Sequence, residues 1–124
     1  MTQTVVSMEL PVDEHLQIRK NRIMPEHPTG DEKRIAIVTG THGDELEGQL
    51  VCYELLRRLK TQPGQLKGIV DVYPALNPLG IDSITRGIPM FDLDMNRIFP
   101  GNEQGPMMES LVYHLMEDLK GADL

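Results

Sequence analysis

With 40% apolar and 25% charged side chains, this 124-residue chain has the make-up of one globular domain, which excludes a disordered tract. A formal charge of −7, from 19 acidic against 12 basic residues, argues against a nucleic-acid partner, because phosphate binding calls for clustered Lys and Arg. The lone Cys52 leaves no internal disulfide, the N-terminus has no basic segment leading into an apolar run, and nothing approaches about 18 unbroken apolar residues. A soluble, cytoplasmic protein with no membrane partner is therefore expected.

In chain order, residues 1–24 read as extended. Apolar and polar positions alternate through Val5–Leu10 and again through Leu16–Arg19, with Pro11-Val12-Asp13-Glu14 between them, so a peripheral antiparallel hairpin is predicted. Met24 to Asp31 is dense in residues that break regular structure, and the chain divides into a hairpin with its connector (1–33) and a main segment (34–124), whose core begins at Arg34. Ile35 to Thr39 is a short apolar run of the kind found in a strand covered on both faces. A helix is predicted over Asp44–Lys60, apolar around much of its circumference, with Cys52 a buried structural thiol and Arg57, Arg58 and Lys60 a solvated basic end. It stops at Pro63-Gly64, and Gly68–Pro74 reads as a second strand.

Strand, helix and strand make a βαβ unit, hence parallel strands and a right-handed crossover. From Ala75 to about Glu103 the chain is irregular, and a loop that long in a compact domain is usually functional. A last helix runs over Pro106–Lys120, with Met108, Leu111, Val112, Leu115, Met116 and Leu119 on one face and His114, Glu117 and Asp118 on the other. Ala122-Asp123-Leu124 reads as the entry to another strand. The fold class expected is α/β, a partial parallel or mixed sheet flanked by helices.

The chemistry gathers where the first buried strand turns into the helix. In Gly40-Thr41-His42-Gly43-Asp44-Glu45 an imidazole and a carboxylate stand three apart, a spacing that puts both on one face of a first helical turn and lets them share a cation. That position is the carboxyl end of a parallel strand, where ligands collect in such sheets. Catalytic zinc typically takes three protein ligands and leaves one position for water, and His2Glu is a standard set. No third ligand is evident up to Leu124. His114 belongs to the solvent stripe of its helix, and His15 and His27 have no carboxylate at ligand spacing that sets them apart. Asp92, Asp94, Asn96 and Glu103 match positions 1, 3, 5 and 12 of a calcium loop, but Arg97 stands where that loop needs glycine.

The ordered set Gly40–Glu45, Asn77-Pro78-Leu79-Gly80, Arg86 and Asp92–Gly101 resembles the succinylglutamate desuccinylase and aspartoacylase family, deacylases related to the zinc carboxypeptidases. The resemblance runs from about Arg34 to Leu124 and implies a zinc-carboxypeptidase-like core of the phosphorylase/hydrolase-like type. It implies that His42 and Glu45 bind zinc, that Arg86 polarises the scissile carbonyl and steadies its oxyanion, and that Asn96 and Arg97 hold the substrate's carboxylate. The guanidinium suits both tasks, since its planar fork meets a carboxylate through two hydrogen bonds.

The implied reaction is hydrolysis of the amide of a small N-acyl amino acid. The family's third zinc ligand and its general base would lie beyond Leu124, so the chain is expected to hold part of the site, to bind zinc weakly and to be inactive alone. A peptide-cleaving zinc carboxypeptidase and a non-catalytic assembly module are the competing readings. An unpaired sheet edge would favour a homo-oligomer.

Overall fold

The computed structural model describes residues 1–124. Four strands form one mixed sheet in the order β1-β2-β4-β3, with β1 at Thr2–Glu9, β2 at His15–Ile23, β3 at Arg34–Val38 and β4 at Ile69–Tyr73. β3 and β4 are parallel, pairing Ile35 with Val70 and Ile37 with Val72, and helix α1 (Glu47–Thr61) makes the crossover between them. The short helix α2 (Pro78–Ser83) and the longer α3 (Met107–Leu119) follow. This is an α/β fold.

The hairpin, expected at the periphery, joins the sheet instead. β2 pairs antiparallel with β4, and Val6, Leu16 and Ile18 belong to the largest buried cluster, so the core does not start at Arg34. The physical reason is that β4 is central: Val70, Asp71, Val72 and Tyr73 are all buried, which requires a neighbour on each edge and cover on each face. The hairpin turns at Val12 and Asp13, both with positive φ (65° and 58°), the backbone twist that suits a tight β-hairpin.

Side chains alternate across β4. Val70 and Val72 face α1, packing with Cys52 and flanked by Ile37, Leu55, Leu56 and Leu59. Tyr73 faces α3 with Leu16, Ile18, Met108, Leu111, Val112 and Leu115. Cys52 is buried as expected, and that burial raises its thiol pKa. The predicted all-round apolarity of α1 has a different outcome: Leu50, Val51 and Tyr53 are about two-thirds exposed, because one helix face suffices to cover two strands.

Beside Tyr73 the α3 side of the sheet carries an ionic cluster. The Asp71 carboxylate, fully buried, accepts hydrogen bonds from Arg22 at 2.8 and 2.7 Å and from Arg34 at 2.7 Å, with Lys20 at 3.4 Å. Lys20 donates to both oxygens of Asp118 at 2.8 and 2.7 Å, and the Tyr73 hydroxyl donates to the same carboxylate. Burial alone would push Asp71 up, but the bonds from Arg22 and Arg34 and the charge of Lys20 outweigh it and hold the carboxyl at about 2.

Asp118 thus corrects the reading of α3. Helical spacing puts it on the solvent stripe, yet it turns toward the sheet because Lys20 reaches up to it; His114 and Glu117 are exposed as expected. At the other edge Asp123 N–H donates to the Arg34 carbonyl and Ala36 N–H to the Leu124 carbonyl, both at 2.8 Å, so the predicted strand entry lies alongside β3. No helix is long and apolar enough to cross a membrane.

Candidate metal and substrate site

β3 and β4 go on exchanging hydrogen bonds past their ends, through Thr39 N–H to the Tyr73 carbonyl at 3.0 Å and Leu76 N–H to the Thr39 carbonyl at 3.1 Å. The loops that follow each strand therefore leave the sheet side by side. In the first, α1 starts at Glu47 rather than Asp44, so His42 and Glu45 sit in a turn ahead of the helix and not on its first turn. The turn is closed by Glu45 N–H to the His42 carbonyl at 3.4 Å, which keeps the pair together by another route. Gly43 allows it: a Cβ there would lie 2.0 Å from the backbone carbon of Gly80, so the two loops touch backbone to backbone.

His42 Nδ1 lies 3.3 Å from Glu45 Oε1, and the imidazole is only 11% exposed. Its other nitrogen, Nε2, is 3.0 Å from Asp94 Oδ1. A carboxylate only accepts, so the hydrogen bond to Asp94 is donated by Nε2, while Nδ1 faces the Glu45 carboxylate. Asp94 is held in turn, since its Oδ1 accepts from Asn96 N–H at 3.0 Å and caps the 3₁₀ turn Met95–Arg97. The hydrogen bond from His42 lowers the Asp94 pKa.

Arg86, 41 residues along, brings Nη1 to 3.2 Å from the same Glu45 oxygen. Three of the predicted residues therefore meet: His42, Glu45 and Arg86. Asn96 and Arg97 do not reach them. They lie two and three residues past Asp94, but they are exposed, and the Arg97 side chain comes no nearer than 3.7 Å to Asp94 Oδ2.

Asp94 is the residue sequence reasoning misses, since residue order offers it only as a calcium-loop position. A metal-ligating histidine almost always gives its second nitrogen to a carboxylate or carbonyl, and that rule was the available signal for a partner. Spacing carried none, because 52 residues separate the two.

The donor set fits a zinc ion. His42 Nδ1 and Glu45 Oε1 are donors of the kinds zinc takes, an imidazole nitrogen and a carboxylate oxygen, 3.3 Å apart. Two ligands at about 2.0–2.1 Å from one ion in tetrahedral array stand about 3.3 Å apart. The pair borders a cavity of about 310 Å³ lined also by Thr39, Gly40, Thr41 and Glu47. No three His, Cys, Asp or Glu side chains come close enough together to hold an ion by themselves, so the chain presents a two-ligand set.

Comparison with known proteins now decides the lineage. The succinylglutamate desuccinylase/aspartoacylase catalytic domain profile matches residues 31–122. The chain belongs to this family. The N-alpha-acetyl-L-2,4-diaminobutyric acid deacetylase of Halomonas elongata is 30% identical over 82 residues, a stretch that is 66% of this chain and 23% of that protein. A succinylglutamate desuccinylase/aspartoacylase from Rhodobacter sphaeroides superimposes with a TM-score of 0.81 at 30% identity, covering 99% of this chain and 38% of the other. For an aspartoacylase family protein from Mesorhizobium loti the TM-score is 0.80 at 24% identity, again over 99% and 38%. The chain thus spans under two-fifths of the length of these family members.

Proposed function

We propose that this chain contributes the first half of a zinc-dependent deacylase site, one that hydrolyses the amide of a small N-acyl amino acid or a related N-acyl amine. The observation that carries the reading is the convergence of His42, Glu45 and Arg86 with Asp94 fixing the imidazole. Membership of a deacylase family and likeness to an N-acetyl-diaminobutyrate deacetylase support the amide as the bond cleaved, and weigh against a peptide-cutting carboxypeptidase.

Zinc held by His42 and Glu45 would supply Lewis acidity toward a carbonyl and water acidic enough to attack near pH 7. Asp94 keeps the proton on Nε2, leaving Nδ1 free as a ligand and raising its basicity. Arg86, beside that pair, donates to the carbonyl oxygen and stabilises the charge that grows on it as water adds. Asn96 and Arg97, exposed on the 3₁₀ turn that Asp94 caps, would hold the substrate's free carboxylate. Taking the proton from the attacking water and passing it to the leaving amine needs a general acid–base group that none of these residues supplies.

Zinc titration tests the reading. The 124-residue chain is expected to bind zinc no tighter than micromolar and to lose that binding in His42→Ala, with no release of acid from N-acyl amino acids. A wild-type titration that leaves the His42 ring resonances unmoved at millimolar zinc would sink the assignment.

A further inference from the structure

Asn77 is 1% exposed, and every polar group it carries is used. Its backbone N–H donates to the Gly40 carbonyl at 2.8 Å, in the loop leading to His42, and its own carbonyl accepts from Ile81 N–H at 3.0 Å. Side-chain Oδ1 accepts from Gly80 N–H at 2.9 Å and so caps α2, while Nδ2 donates to the Gly87 carbonyl at 2.9 Å. The carboxamide therefore joins the start of α2 to the residue next to Arg86, while the backbone of the same residue ties both to the loop that carries His42 and Glu45.

The surroundings are shaped to let it do so. A Cβ on Gly80 would lie 2.2 Å from Asn77 Nδ2, so the carboxamide lies in the space that only glycine leaves open. Beyond Asn77 the segment is tied down by buried Ile88, whose N–H donates to the Leu93 carbonyl at 2.8 Å. Ile84, Met90 and Asp92 all have positive φ (52°, 73° and 50°), conformations that cost free energy and persist only where neighbours enforce them. The Arg86 side chain is 58% exposed and meets the rest of the site through a single contact, Glu45.

We propose that Asn77 is a positioning residue, its carboxamide setting where the Arg86 guanidinium stands relative to His42 and Glu45. This rests on the reading of those three residues given above and assigns Asn77 no contact with substrate. A displacement of about 1 Å in a group that must meet a developing charge can cost about 100-fold in rate, so a fixed Gly87 carbonyl matters even though Arg86 itself is exposed.

Asn77→Ser separates this role from simple capping. Serine still accepts from the Gly80 N–H as an N-cap comparable to asparagine, but has no donor long enough to reach Gly87. In the ¹⁵N-labelled 124-residue chain, the substitution is expected to lower the heteronuclear NOE at the Arg86 and Gly87 amides and to move Arg86 Nε–Hε to its free-arginine position, with β3, β4 and α3 unchanged. A folded Asn77→Ser protein with unaltered order at Arg86 and Gly87 would overturn the proposal.

If Asn77→Ser does not fold, the unmodified chain decides. Its Asn77 carboxamide protons should exchange at least about tenfold more slowly than those of exposed Asn96, and equal rates would count against the latch. Zinc added to the same sample and followed at the His42 ring succeeds or fails independently. Silence there removes the metal reading, while the loop measurements still decide Asn77.

Discussion

Two groups of charges sit at different depths in this domain. Under α3, Lys20, Arg22, Arg34, Asp71, Asp118 and Tyr73 saturate one another, and Asp71 has no exposed surface. At the carboxyl end of β3, Glu45 and Arg86 are both more than half exposed, and the imidazole Nδ1 faces the Glu45 carboxylate. The first arrangement is complete and can only hold the fold together. The second leaves Glu45 and Arg86 open to solvent beside the imidazole, so its charges remain available to a ligand. Mutations should therefore separate the two, with stability lost at the first and binding lost at the second.

The largest effect is expected at Asp71. Replacing it with Asn strips the central negative charge from three cations and leaves Asp118 to face them alone. Breaking a buried ionic group by removing one partner typically costs about 3–5 kcal/mol, and urea denaturation of Asp71→Asn at pH 7 should show a loss of that order. The same substitution should leave zinc binding at His42 unaltered.

At the site the corresponding test is Asp94→Asn, which keeps an acceptor for Asn96 N–H but no longer bears the charge that fixes the Nε2 proton. Loss of such a partner commonly weakens metal binding about 10–100-fold, measurable by calorimetry with zinc. Folding stability should move little, since the cap survives.

Acid should act on the buried group by a predictable route. Asp71 is held at about 2, below its ordinary value near 3.8, so its ionised form favours the folded state. The contribution is fully present above the unfolded value and disappears as pH falls through that value toward the folded one, in the window from about pH 4 to pH 2. The shift corresponds to about 2 kcal/mol, and Asp118, also lowered, adds in the same direction. Urea midpoints taken between pH 5 and pH 2 should fall in wild type and fall less in Asp71→Asn.

How much of this could be read from residue order differs between the two clusters. The βαβ unit and α3 follow from local patterns, an apolar run and a 3.6-residue stripe, whereas His42 meets Glu45 through a turn ahead of the helix and not on the first helical turn that their spacing implies. The family motifs brought Arg86 to the pair, and the structure places it there. What escaped was non-local. The Lys20–Asp118 pair spans 98 residues and the His42–Asp94 pair 52, and neither has a periodicity to betray it. The hairpin's place in the sheet was hidden for the same reason, because alternation shows that a strand is half-buried without saying which strand it joins.

The smallest effect separates both clusters from the remainder of the surface. Val12 sits at the hairpin tip, 92% exposed, with φ at 65°, a left-handed conformation in which a β-branched side chain crowds the following carbonyl. Asparagine tolerates that region, and relief of the crowding is worth about 1 kcal/mol. Val12→Asn should therefore raise the urea midpoint modestly while leaving zinc affinity and the acid transition where they are. A gain at Val12 that also shifted zinc binding would mean the hairpin communicates with the cleft, and the division between a structural cluster and a ligand cluster would no longer hold.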